Sequence, residues 1–190
     1  MILSGIQAML PALGHEWYEE TGELNEIKNQ QFIVGQPSWT LDEIVIDANF
    51  PIIKVMNNGT ISMLYQIDNF PANTDTLKYG IKEIGESWTF ETITTESMPG
   101  KQIDLVLDSN NNPHIVYLSN FPNNDLKYGS KNSDGTWNLQ TIDTGENYFP
   151  SLVLDSNDNP HILYGGNSND ELHYAYFDGF SWFEGINLEN

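Results

Sequence analysis

From Leu105 to Tyr117 the chain reads LVLDSNNNPHIVY, and from Leu152 to Tyr164 it reads LVLDSNDNPHILY, with two differences in thirteen positions. The offset is 47 residues. Near-identity at a period of about 20 to 50 residues marks stacked structural units, each unable to bury its apolar face alone and covered by its neighbour. This repeat limits the fold more than any other feature of the chain.

Extending the match outward recovers more of the unit. LKYG occurs at Leu77 and again at Leu126, and the related LHYA begins at Leu172. A tryptophan follows each: SWTFETI from Ser87, TWNLQTI from Thr136, SWFEGI from Ser181, and PSWTLDEI from Pro37 earlier in the chain. FPIIKVMNNGTISMLY (50–65) lies without a gap on FPSLVLDSNDNPHILY (149–164). The same frame places His15 and Tyr18 on His161 and Tyr164, so Trp39, Trp88, Trp137 and Trp182 mark four units of one domain spanning 1–190. Their approximate bounds are 1–47, which is degenerate, then 48–95, 96–146 and 147–190.

Within a unit, LVL and HIVY are strand composition and the DSNNNP or NNGT between them is turn composition. Asn58-Gly59 predicts a two-residue type I′ hairpin with φ above zero at both central residues. LKYG and the tryptophan segment supply a third and fourth strand. The expected fold is therefore all-β: a β-propeller of four four-stranded antiparallel blades of about 47 residues, with half of an eight-bladed dimeric ring as the alternative closure. Ile2, Leu3, Ile6, Met9, Leu10 and Leu13 fit helical spacing as well as a degenerate inner strand, so a docking helix there stays open.

The pattern LDSNxNPHIxY, then LKYG, then a tryptophan after a turn, resembles the blades of bacterial sialidase-like, BNR-like β-propellers. That resemblance covers the third and fourth units closely, the second well and the first poorly. It implies the fold and is nearly silent on activity, since such blades serve lectins, hydrolases, lyases and scaffolds.

Composition narrows the partners. Twenty-seven acidic residues stand against seven basic ones, all lysine, for a formal net charge of −20. A field of that sign repels phosphate backbones and anionic lipid, so neither nucleic acid nor an anionic membrane is an expected partner. The absence of arginine also removes the cluster that a sialidase uses to hold its substrate carboxylate. Without cysteine there is no disulfide, thiolate metal site or thiol nucleophile. The first residues lack the basic start of a signal peptide, and an extracellular, cell-surface or virion location is the expectation.

Candidate chemistry is sparse. DSNNN at Asp108 and DSNDN at Asp155 place oxygen ligands as a calcium loop does, but Met56 replaces the aspartate in the second unit, which favours a turn; no metal or cofactor is expected. His15, His114 and His161 recur three residues before a tyrosine, a pair able to act as base and acid in polysaccharide elimination. Recurrence in several units favours packing instead. The loops after Tyr65, Tyr117 and Tyr164 differ between units and are rich in Asn and Asp, with two phenylalanines ahead of proline. Asp68, Asn69, Phe70, Asn120, Phe121, Asn123, Asn167 and Asn169 are thus the candidate ligand-binding residues, an aromatic platform beside hydrogen-bonding groups. The expected function is a non-enzymatic module that binds a neutral glycan or a protein surface. The alternatives are a structural component of a virion or surface layer and a polysaccharide-active enzyme using His and Tyr; homo-oligomer formation is left open.

Overall fold

The computed structural model describes residues 48–69, 72, 74–97, 102–119, 122–166 and 171–188. Their twelve strands are β1 (Ala48–Val55), β2 (Ile61–Asn69), β3 (Thr74–Lys82), β4 (Thr89–Glu96), β5 (Ile103–Leu107), β6 (Pro113–Ser119), β7 (Asp125–Lys131), β8 (Trp137–Asp143), β9 (Tyr148–Leu154), β10 (Pro160–Gly166), β11 (Glu171–Phe177) and β12 (Trp182–Asn187). They form three four-stranded antiparallel sheets, β1-β2-β3-β4, β5-β6-β7-β8 and β9-β10-β11-β12. Each sheet is one of the last three sequence units, and the fourth pairs its own outer strand, β12, with β11. The first unit, with His15, Trp39 and the apolar stretch from Ile2 to Leu13, lies outside the described residues.

β6 explains why the sheets stack. Its run IVYL (115–118) is apolar at successive positions, so both of its faces must be covered. Ile115 and Tyr117 pack with Leu64, Leu77, Tyr79 and Leu105 on one side, while Val116 and Leu118 pack with Leu126, Tyr128, Leu152, Ile162 and Tyr164 on the other. The middle sheet therefore separates two cores, one shared with each neighbouring sheet. Complete burial of each such leucine or isoleucine contributes about 1.5 to 3 kcal/mol.

The hairpin turns correct the two-residue expectation. Gly59 has φ 83° and Asn58 is not in the positive region. Gly59 N–H donates to Met56 O at 2.9 Å, and Met56 N–H donates to Thr60 O at 2.8 Å. This is a type I turn followed by one left-handed residue, a three-residue loop. The later units repeat it, with Asn111 (φ 66°) and Asp158 (φ 63°) in the glycine's place, residue types that tolerate this conformation. The three residues of the loop, Asn57 to Gly59 in the second unit, leave the sense of the hairpin intact and move the φ-positive position to its end.

Packing also dictates the glycine of LKYG. A Cβ on Gly80 would stand 2.8 Å from the Phe90 ring, and one on Gly129 would stand 2.7 Å from Leu139 Cδ2. Both glycines face those residues directly across the strand pair. In the last sheet β11 and β12 shift register between Tyr174 and Tyr176, and there Ala175 takes the position.

Candidate functional site: a cleft between the second and third sheets

The two sheet-to-sheet interfaces use the same parts. At the first, Trp137 of β8 reaches back to the preceding sheet and donates its indole N–H to Glu91 Oε1 at 2.9 Å. At the second, Trp182 of β12 donates to Gln140 Oε1 at 3.0 Å. Each indole meets a buried tyrosine edge-on: Trp137 with Tyr79 at 5.6 Å between centroids, Trp182 with Tyr128 at 5.0 Å. Directly opposite each tryptophan on the neighbouring strand sits the residue that sets the two interfaces apart, Lys131 beside Trp137 and Phe177 beside Trp182.

Lys131 fills the first interface. Its Nζ lies 2.6 Å from Glu91 Oε1, 5.4 Å from the Tyr79 ring centroid and 6.0 Å from that of Trp137. Among the described residues the second interface has no such plug. A cleft of about 210 Å³ opens there, walled by Trp182, Phe177 and Tyr128, with Asn138, Gln140, Ser130 and His114 from the middle sheet and Asp158, Asn159 and Pro160 from the β9–β10 turn.

The polar groups of the cleft are held by the turns. Asp158 accepts from Ser109 N–H at 3.0 Å and from Ser109 Oγ at 2.5 Å, tying the third sheet's first hairpin to the second's. His114 Nδ1 lies 2.5 Å from the Tyr128 hydroxyl, and its Nε2 lies 3.7 Å from Asp108 Oδ2. Burial holds the His114 pKa below its ordinary value, against the opposing pull of Asp108 and Asp158. Burial likewise raises that of Tyr128. At neutral pH the pair is thus a neutral imidazole and a neutral phenol, a hydrogen-bonding wall beside the aromatic one.

The same constellation recurs on the third sheet, where His161 Nδ1 meets Tyr174 OH at 2.5 Å and Nε2 lies 3.7 Å from Asp155. The recurrence fits the packing role expected of these histidines, and in the second unit Ser62 stands in the same place. At His114 the packing residue also lines a cleft. His173 pairs with Glu171 at 3.1 Å and packs edge-on against Tyr164. A Cβ on Gly166 would meet its ring at 2.5 Å.

Of the loop residues expected to bind ligand, Phe70, Asn120, Phe121, Asn167 and Asn169 lie outside the described residues. Asp68 is exposed at the end of β2, Asn69 donates to Thr76 Oγ1 at 2.8 Å, and Asn123 is exposed in the β6–β7 turn. The cleft is at the other end of the sheets: His114 opposes Ser130, and Ser130 opposes Asn138, beside the β5–β6 and β7–β8 turns.

No family profile matches the sequence, and no curated protein does. Among solved structures, the chain is similar to a fucose lectin from Kordia zhangzhouensis in complex with methyl-fucoside, at 18% identity and a TM-score of 0.48, covering 72% of this chain and 97% of that one. It is also similar to a GH43 β-1,3-galactosidase at 14% identity and a TM-score of 0.47, covering 78% of this chain. The match spans 36% of the galactosidase's length.

Proposed function

We propose that this protein is a non-enzymatic glycan-binding module built on propeller blades, with residues 1–47 as the remaining blade, and that it holds one saccharide unit in the cleft between the second and third sheets. The cleft itself carries the reading. Its volume of about 210 Å³ is below the roughly 300 to 1,000 Å³ of sites for drug-sized ligands and suits a single sugar ring. Trp182, Phe177 and Tyr128 offer apolar surface to C–H groups, while Asn138, Gln140 and Asn159 bring amides that both donate and accept, as hydroxyl recognition requires. The loops carrying Phe70 and Phe121 are the competing location.

A glycan array with the full chain, followed by calorimetry on the best binder, tests the proposal. Asn138→Ala, an exposed change on the rim of the cleft, should weaken binding while Phe70→Ala with Phe121→Ala leaves it intact. The reverse result would move the site to the loops, and catalytic turnover of the bound glycan would replace the module with an enzyme.

A further inference from the structure

The sister interface shows what kind of group the cleft is shaped to receive. Several repeat positions differ between the two, Ser62, Ile81 and Thr89 giving way to His114, Ser130 and Asn138, and three of the differences change the charge. Where the first interface has Glu91 and Lys131, the second has Gln140 and Phe177. The left-handed position of the hairpin turn is Asn111 in the middle sheet and Asp158 in the third, with matching φ of 66° and 63°. The carboxylate is therefore not lost in the second interface: it has moved from the strand to the turn. The lysine alone has no replacement. Among the described residues lining the cleft Asp158 is the only one with a formal charge at neutral pH, and Ser109 takes two of its acceptor positions, leaving others open.

We propose that the cleft receives a primary ammonium group carried by the ligand, which takes the place that Lys131 fills next door, against the Tyr128–Trp182 pair and with Asp158 as its counter-charge. The inference rests on the cleft being the ligand site, and it narrows the ligand to an amino sugar or a lysine side chain. The aromatic pair has the geometry of the Tyr79–Trp137 pair that already faces an ammonium. Gln140 still presents an oxygen where Glu91 does. The net charge of −20 favours the approach of cations.

The test titrates the full chain at pH 7, at low and high salt, with glucosamine, glucose, N-acetylglucosamine and an Nα-acetyl-lysine amide, read by tryptophan fluorescence and calorimetry. Binding of glucosamine or the lysine amide that weakens with salt and vanishes on N-acetylation supports the proposal, and whichever binds identifies the source. Asp158→Asn should weaken that binding by about tenfold or more, the scale of one charge-assisted contact. Phe177→Lys should plug the cleft from within and abolish binding; should that variant not fold, Asp158→Asn decides alone. Glucose or N-acetylglucosamine binding as tightly as glucosamine, or an unchanged affinity in Asp158→Asn, overturns the ammonium assignment and leaves the saccharide cleft standing. Binding of the lysine amide with no sugar bound supports the ammonium and overturns the saccharide. No binding of any probe at millimolar concentration overturns both.

Discussion

The indole N–H of Trp137 donates to the Glu91 carboxylate at 2.9 Å, joining two sheets, and Trp182 makes the equivalent bond to the neutral Gln140 at 3.0 Å. The two bonds share geometry and differ in the charge of the acceptor. A hydrogen bond to a charged group contributes about 1.5 to 3 kcal/mol and a neutral one about 0.5 to 1.5. Trp137→Phe should therefore cost more stability than Trp182→Phe, by about 1 kcal/mol in urea unfolding. Equal losses would mean that ring packing alone fixes both interfaces.

Acid should destabilise the fold through His114. Its folded pKa is held below the ordinary value of 6.5, chiefly by burial. As pH falls through 6.5 the unfolded chain takes up a proton that the folded chain refuses, so stability declines until the folded pKa is reached. Asp155 adds a second window lower down. Its pKa is lowered to about 2, first by the Asn159 backbone N–H, so its contribution is present above the ordinary value of 3.8 and is lost toward pH 2. The checks are urea midpoints from pH 7.5 to 5 for the wild type and His114→Gln. The wild type should lose stability relative to the variant across that range, and parallel curves would show that His114 titrates normally.

Much of the fold was legible because repetition removes ambiguity. HIVYL alone fits a buried strand or a short buried helix, but its recurrence as HILY, bounded both times by turn residues, leaves only the strand. Asn58-Gly59 reads as a two-residue loop because Asn-Gly is its usual sign, whereas the aligned Asn111 and Asp158 show that one left-handed residue at the end of a three-residue loop suffices. The cleft was missed for a different reason. Variation between units is most visible in the loops, whereas the variation that shapes the cleft lies on strands and a hairpin turn, at Lys131 against Phe177, Glu91 against Gln140, Ile81 against Ser130 and Asn111 against Asp158. Each is an ordinary residue within its own strand or turn, and its effect exists only where two sheets meet.

Gly129→Ala should destabilise although it introduces a single methyl group. The new Cβ would meet Leu139 Cδ2 at 2.7 Å and Ile115 Cγ1 at 3.0 Å, two side chains packed in the first core. Overpacking of this kind costs about 1 to 3 kcal/mol. Adding Leu139→Ala should recover part of the loss, since it vacates the nearer contact. A double mutant that is no better than the sum of the single changes would place the strain in the backbone instead.

Calcium should leave this protein unchanged, because the aspartates that resemble a calcium loop are already occupied as turn caps. Asp108 Oδ1 accepts the N–H groups of Asn110 at 2.8 Å and Asn112 at 2.7 Å, while Oδ2 takes the Asn112 side-chain amide at 2.8 Å. Asp155 is bonded in the same way to Asn157 and Asn159. In the second unit, where Met56 stands in that place, Asn58 Oδ1 accepts from Thr60 N–H at 3.0 Å, so another residue supplies a turn contact and no carboxylate is needed. Calcium asks for six to eight oxygens at about 2.3 to 2.6 Å, and among the described residues no group of three or more His, Asp or Glu side chains is placed to hold a metal ion. Millimolar calcium chloride or a chelator should therefore leave the melting temperature where it is, whereas Asp108→Ala, which strips the turn of its cap, should cost about 0.5 to 2 kcal/mol with or without the ion. A melting temperature that rises with calcium in the wild type and not in Asp108→Ala would make the turn a metal site after all.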